Sequence, residues 1–475
     1  MKLTSVVVFC GMLFYGLQAG SESAGKVRIS GYAPGYAGEE LVFYSRTDDI
    51  SFTETEVVRF RVDKSDEFSV EIEADNAPLY IYTNVGVHYA YMYVEPGKSY
   101  KIVIPGKTEK SAREKNNPYF EGIPTHIAVI NRDSTELNHL IRIFDQMYEP
   151  LFGEPLIRLT MNRDYELLDS ISNAFEQRFA GYGNPYFQKY RKYKLGLLKI
   201  MARMQSASNV SSQYFYPEPV LYDNVAYMEL FNQVYDRYFL FFSRTTKGKR
   251  IFEDINKHRS LDKLRNTLLT DNVLGEERLL EMVILKGLHD AFYVEGFSRL
   301  GLLTVLDSLA STTTYPEHER IAGHIREKVT RLLEGFEPPD FRLMNREGDT
   351  MSVSDFRGYY VYLNFCTSVS YGCLSEYDVL SSLSEKYEKH LKVVTVFIDD
   401  SYESMLDFLN KNDYDWEFLF YGNQPSVLKD YDVRMFPTYY LMDRDGKLLM
   451  SPAPSPAEKF ENYLFRTIHS RGEFR

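Results

Sequence analysis

The stretch Tyr359-Tyr-Val-Tyr-Leu-Asn-Phe-Cys-Thr-Ser-Val-Ser-Tyr-Gly-Cys373 decides the fold of the C-terminal third of this chain. Up to Phe365 it is apolar or aromatic almost throughout, the composition of a central strand buried on both faces. A helix then begins near Ser370 and runs to Tyr387. Serine is a good N-cap, because its hydroxyl accepts from a backbone N–H three residues on, here that of Cys373. The chain thus passes from a buried strand straight to a helix N-terminus, with a cysteine on either side of the passage.

The pattern continues outward from there. Upstream, Pro338-Pro-Asp-Phe341 leads an extended run to a turn at Gly348 and a short helix start at Ser352 or Ser354. Downstream, the periodicity predicts a strand over Lys392 to Ile398, a helix over Tyr402 to Asn412, a region of unassigned type around Leu419 and a helix over Pro425 to Asp430. A hairpin of Thr438 to Met442 and Lys447 to Met450, turned by Asp443-Arg-Asp-Gly446, and a helix over Pro456 to His469 complete the domain.

This order resembles the thioredoxin superfamily, specifically the TlpA-like periplasmic thiol-disulfide oxidoreductases, over about residues 336–470. The motifs that carry the resemblance are Pro338-Pro-Asp-Phe341, Asn364-Phe365 at the strand end, Val433-Arg-Met-Phe-Pro-Thr438 and the Asp443-Arg-Asp-Gly-Lys447 hairpin. The family's usual site is a tryptophan after Asn-Phe and then Cys-x-x-Cys at the helix start. Here Cys366 falls on the tryptophan position, Ser370 on the first cysteine and Cys373 on the second. Pro437 matches the family's cis-proline, beside which an extended peptide binds, so the resemblance implies Tyr371, Phe436, Pro437 and Thr438 as substrate-binding residues. Asn364 stands where some relatives keep a buried acid, and an amide cannot serve as that base.

A first thiol at a helix N-terminus is held as thiolate by unpaired N–H groups and the helix dipole. Serine has no such chemistry and forms no mixed disulfide. Cys373, one turn inward, is expected to be buried with a raised pKa and low reactivity unless the loop opens. A Cys366 to Cys373 exchange pair is the other route, provided the Cα atoms lie within about 7 Å. Glu376 reads as a helix-surface charge outside the chemistry.

The rest of the chain falls into two further textures. Residues 26–105 alternate apolar and polar side chains between turn signals, as in Phe60 and Val62 or Phe68, Val70 and Ile72, which predicts an antiparallel β-sandwich. The tyrosines at 80, 82, 89, 91 and 93 fit sheet packing better than a ligand platform. A polar linker over 106–119 precedes an all-helical domain over 120–335, with apolar residues three and four apart in stretches such as Leu137 to Tyr148 and Asn224 to Phe242. That middle carries no metal-binding or nucleotide-binding motif, and His318 and His324, read as a shared surface patch, are a weak metal signal. No metal and no cofactor are expected. The complete arrangement looks like exported multidomain thioredoxin-like proteins of gut-type anaerobes.

Met1 to Gly20 has one basic residue, Lys2, an apolar run from Val6 to Leu17 and a small-residue exit at Ala19 and Gly20, the pattern of a signal peptide. Export to the periplasm follows, and no later segment is apolar enough to span a membrane. The net charge of -12 disfavours nucleic acid and anionic lipid as partners. With Cys10 in the leader, only Cys366 and Cys373 remain in the mature chain, too few for a disulfide scaffold.

Three functions fit these features. The first is a noncatalytic module that binds a peptide or protein partner through the Pro437 groove or serves as a scaffold. The second is an atypical thiol-disulfide oxidoreductase that uses Cys373, with or without Cys366. The third is handling of glycan or polypeptide by the N-terminal sheets.

Overall fold

The computed structural model describes residues 25–470, apart from 75–76, 112–113, 115–116, 118, 217 and 423. The apolar leader over residues 1–20 lies outside them.

The alternating N-terminal segment forms β1 (Gly25–Tyr32), β2 (Glu40–Arg46), β3 (Glu54–Arg61), β4 (Glu67–Ala74), β5 (Leu79–Val85), β6 (His88–Val94) and β7 (Ser99–Val103). Two more strands follow, β8 (Ile123–His126) and β9 (Ala128–Val129). They assemble into two sheets, ordered β4-β1-β7-β9 and β3-β2-β5-β6-β8. Val27, Ile29, Ile72 and Ile102 from the first sheet share one buried cluster with Phe43, Phe60, Ile81 and Met92 from the second, as the period-two pattern requires.

Two expectations are corrected here. The pairing is mixed, because β1 runs parallel to β7 and β6 parallel to β8. Parallel pairing joins segments distant in sequence, so local alternation carries no trace of it. Residues 123–129, read as part of an all-helical region, complete both sheets instead. Pro124 obscures β8 as a strand in the sequence, but β8 is an edge strand, where a missing N–H is tolerated. β1 and β7 approach so closely at Gly31 that an added Cβ would lie 1.9 Å from the Ile102 carbonyl oxygen.

Tyr80 and Tyr82 of β5 lie against Tyr89, Tyr91 and Tyr93 of β6 as a ladder, with Tyr82 and Tyr93 buried. Tyr93 packs on Tyr186 and Tyr190 of the helical region. Asn138 completes the β6 edge as a neighbouring strand would, accepting from the Tyr93 N–H at 2.7 Å and donating to its carbonyl at 2.8 Å. These tyrosines cement the sheet to the helices.

The middle of the chain is helical, around one large cluster that includes Phe144, Phe187, Tyr227, Phe231, Leu285 and Leu306. The stripe from Asn224 to Phe242 forms two helices, Val225–Val234 and Tyr238–Ser243, where a single one was expected. Arg237 between them is left-handed at φ 44°, and its N–H donates to Asp290 at 3.0 Å, a tertiary contact that a sequence window does not show. His318 and His324 share no surface patch. His318 is buried between Glu281, 2.8 Å from Nδ1, and the Tyr222 hydroxyl, 2.7 Å from Nε2. His324 faces Asp48 at 2.9 Å and ties its helix to the sheets.

The C-terminal domain contains β10 (Leu343–Asn345), β11 (Thr350–Met351), β12 (Tyr360–Cys366), β13 (Leu391–Phe397), β14 (Glu417–Phe420), β15 (Thr438–Met442) and β16 (Leu448–Met450), in the order β11-β10-β14-β13-β12-β15-β16. The region around Leu419 is thus a strand. β12 lies at the centre, parallel to β13 and antiparallel to β15, and all its residues are buried. Tyr360, Tyr362 and Cys366 enter the cluster on one face, and Val361, Leu363 and Phe365 the cluster on the other. That alternation places Cys366 under the helix Tyr371–Lys386, which covers the first face with Tyr377 and Leu380. The C-terminal helix begins at Phe460 because Lys459 is left-handed.

Candidate functional site

The site forms where β12 ends. Its last residue, Cys366, is fully buried, and its carbonyl accepts from the Ile398 N–H at 2.8 Å, which fixes the strand end against β13. Thr367, Ser368 and Val369 turn the chain outward, and Ser370 caps the helix Tyr371–Lys386. The Ser370 hydroxyl accepts from the Cys373 N–H at 3.4 Å and donates to the Phe436 carbonyl at 3.4 Å. Both lone-pair and proton of that hydroxyl are therefore engaged in local structure, as an N-cap requires.

Cys373 faces inward from the first helical turn and is also fully buried; both thiols are free. The sequence reading placed Cys373 correctly inside but gave its acidity the wrong sign. The hydrogen bond from the Cys366 thiol pulls the Cys373 pKa below the ordinary thiol value, against the opposing effect of burial, with help from the Thr367 backbone and the Ser370 hydroxyl. Cys366 moves the other way: burial, then the hydrogen bond and charge of its partner, push its thiol well up. A proton on Cys366 thus supports a thiolate on Cys373.

Glu376 lies one turn beyond Cys373 and is half-buried, accepting a short hydrogen bond from the Tyr439 hydroxyl. Its charge raises the pKa of both cysteines. It is therefore part of the thiol environment, which corrects its reading as a surface charge. The three-residue spacing from Cys373, which places the two on one helical face, is the sequence signal that the reading as a surface charge passed over.

Across from the helix start, the Phe436–Pro437 peptide is cis. A Cβ on Gly372 would sit 3.1 Å from Pro437 Cδ, so the helix start and this turn are in near contact. Tyr371 is 86% exposed. Phe436 is half-buried and packs into the clusters on both faces of the sheet, so it wedges the domain more than it lines a groove. Thr438 is tied to the turn, its hydroxyl donating to the Met435 carbonyl at 2.7 Å. Two apolar neighbours escaped the sequence reading: Val369, 87% exposed, and Met435, 71% exposed. No periodicity marks them, because they lie on loops. Asn364 is buried, its amide donating to the Val394 carbonyl at 3.2 Å. No group of three or more metal-ligating side chains occurs among the described residues.

A sheet with this strand order, a helix start at the end of its central strand and a cis-proline turn facing that start together define a thioredoxin-like protein. Residues 335–450 match the family model described as the AhpC/TSA family. The chain is 30% identical over 120 residues to the thioredoxin-like protein YneN of Bacillus subtilis (strain 168), covering 71% of that protein and 25% of this one. It is 29% identical over 140 residues to the thiol-disulfide oxidoreductase ResA of Bacillus cereus (strain ATCC 10987 / NRS 248), covering 80% of that protein and 29% of this one. A solved structure described as a putative thiol:disulfide interchange protein DsbE from Chlorobium tepidum aligns at 26% identity, over 97% of that chain and 29% of this one, with a TM-score of 0.26. Through its C-terminal domain the chain belongs to the thioredoxin superfamily.

Proposed function

We propose that this domain binds an extended polypeptide segment at the edge formed by Ser370, Tyr371 and the Phe436–Pro437 turn, and that position 370 makes no covalent attack. The carrying observation is the exposure of three apolar side chains, Val369, Tyr371 and Met435, around a backbone turn. Exposed apolar side chains grouped in this way mark a surface that a partner covers. Ser370 fits a structural part, since its hydroxyl is occupied by the cap and by the Phe436 carbonyl. The apolar leader supports export to the periplasm, and the two N-terminal sheets that enclose a common core are read as a β-sandwich scaffold. The test is fluorescence anisotropy with a labelled, reduced and carboxymethylated unfolded protein as probe. Met435→Asp weakens binding and Cys373→Ser leaves it unchanged; equal binding by the Met435 variant removes this edge from consideration.

A second reading, an atypical thiol-disulfide oxidoreductase working through Cys373 with Cys366, draws on the direct interaction of the two thiols and the lowered Cys373 pKa. In an insulin reduction assay it expects wild type above background and Cys373→Ser at background. Equal background rates for both exclude it.

A further inference from the structure

The three residues between the strand end and the helix cap are held from one side. Asp399, which follows the end of β13, accepts from the Thr367 hydroxyl at 2.9 Å, from the Ser368 N–H at 3.0 Å and from the Ser368 hydroxyl at 2.5 Å. A carboxylate that accepts several hydrogen bonds is a strong tether. Because Ile398 is bonded to the Cys366 carbonyl, Asp399 is itself anchored to the rigid centre of the sheet. At the other end of the loop the Ser370 hydroxyl makes two 3.4 Å contacts, near the outer limit of a hydrogen bond, beside a backbone bond from the Ser370 N–H to the Thr367 carbonyl at 3.3 Å. Between the tethers stands Val369, 87% exposed. Beneath them lie two free thiols with no exposed surface. A buried thiol pair under a loop tethered on one side by a carboxylate, with an exposed apolar side chain at the loop's tip, has the layout of a gate.

We propose that Asp399 latches the Thr367–Val369 loop over the Cys366–Cys373 pair, and that its release lets Cys373 exchange with a disulfide carried by a bound polypeptide. This rests on the thiol-exchange reading above and adds its regulation. In the open state the Cys373 thiolate attacks one sulfur of the polypeptide's disulfide. A mixed disulfide forms and the other sulfur leaves as a thiolate, which takes up a proton from solvent. Cys366, losing its proton to solvent, then attacks Cys373 Sγ, and the second polypeptide sulfur leaves and is protonated. Two thiols of this chain are oxidised to the Cys366–Cys373 disulfide, and one disulfide of the partner is reduced to two thiols. The ligand class is a disulfide-bearing polypeptide whose apolar side chains cover Val369.

The experiment uses the full mature chain, with two readouts. Native-state labelling of Cys373 by iodoacetamide, followed by mass spectrometry, reads the latch. Incubation with oxidised glutathione, followed by intact mass, reads the exchange as a loss of two hydrogens. Asp399→Asn is expected to speed labelling about tenfold, the effect of losing charge-assisted bonds. The double variant Thr367→Val, Ser368→Ala removes the same side-chain bonds while keeping the carboxylate, and serves where Asp399→Asn fails to fold. Unchanged labelling in whichever variant retains the wild-type melting temperature overturns the latch, even if two hydrogens are lost. Faster labelling without loss of the two hydrogens overturns the exchange and leaves the latch standing.

Discussion

Tyr371→Ala separates a binding surface from a structural one. The ring sits just past the helix cap and is 86% exposed, so its truncation removes almost no packing in the free domain. Surface changes of this kind shift stability by less than about 0.5 kcal/mol. A tyrosine offers on the order of 200 Å² for burial. If a bound polypeptide covers about half of it, the gain is about 2.5 kcal/mol at about 25 cal/mol per Å². Ordering the side chain takes back about 1 kcal/mol. The remainder of about 1.5 kcal/mol corresponds to roughly a tenfold rise in Kd when the ring is removed. The assay is anisotropy titration of the labelled, carboxymethylated unfolded protein, with thermal melting as control. An unchanged Kd at an unchanged melting temperature refutes the reasoning, because the most exposed aromatic of the edge would then contribute nothing. A large fall in melting temperature refutes it differently, by showing that the ring already packs within the domain.

Further outcomes follow from other sites. In an Asp399→Asn background, where the loop is freed, Cys366→Ala moves the pH profile of Cys373 labelling to higher pH. The hydrogen bond that most lowers the Cys373 pKa is gone while burial, which raises it, remains; a profile that stays or moves down contradicts the assignment. Glu281→Gln destabilises the chain by about 3 kcal/mol in urea denaturation, since it breaks a buried set that includes His318, Arg265 and Thr313. Burial pushes the Glu281 carboxyl up, but its bonds from His318, Thr313 and Arg265 prevail and leave its pKa lowered. Its contribution is therefore full above the ordinary carboxylate pKa and is lost as pH falls through the lowered folded value, so the variant lacks that part of the acid dependence. Gly31→Ala costs about 2 kcal/mol or more in the same assay, because the new Cβ meets the Ile102 carbonyl, a backbone group that cannot swing aside.

The amino-acid sequence by itself determined the elements whose signal is local. The apolar run of β12, the Ser370 cap and the turn at Asp443-Arg-Asp-Gly446 each rest on the chemistry of adjacent residues, and the helical stripes on a repeat within a few turns. Even there, the stripe over Asn224 to Phe242 split at Arg237, since a bond to Asp290 from a distant helix holds the left-handed turn. What only the tertiary structure decided is what distant segments bring to one another. β8 and β9 join sheets begun long before them, and the parallel pairs of β1 with β7 and β6 with β8 have no local pattern. The region where β12 passes into the helix shows the same division. That Cys366 and Cys373 flank the passage from strand to helix, with Ser370 as the cap, was legible in the sequence. The direction of the Cys373 shift, the nearness of Glu376 and the grip of Asp399 on the loop were not. Thiol acidity and loop restraint are set by hydrogen bonds and charges within a few ångströms in space, and the groups that supply several of them, Tyr439 beside Glu376 and Asp399 beside Ser368, lie far off along the chain.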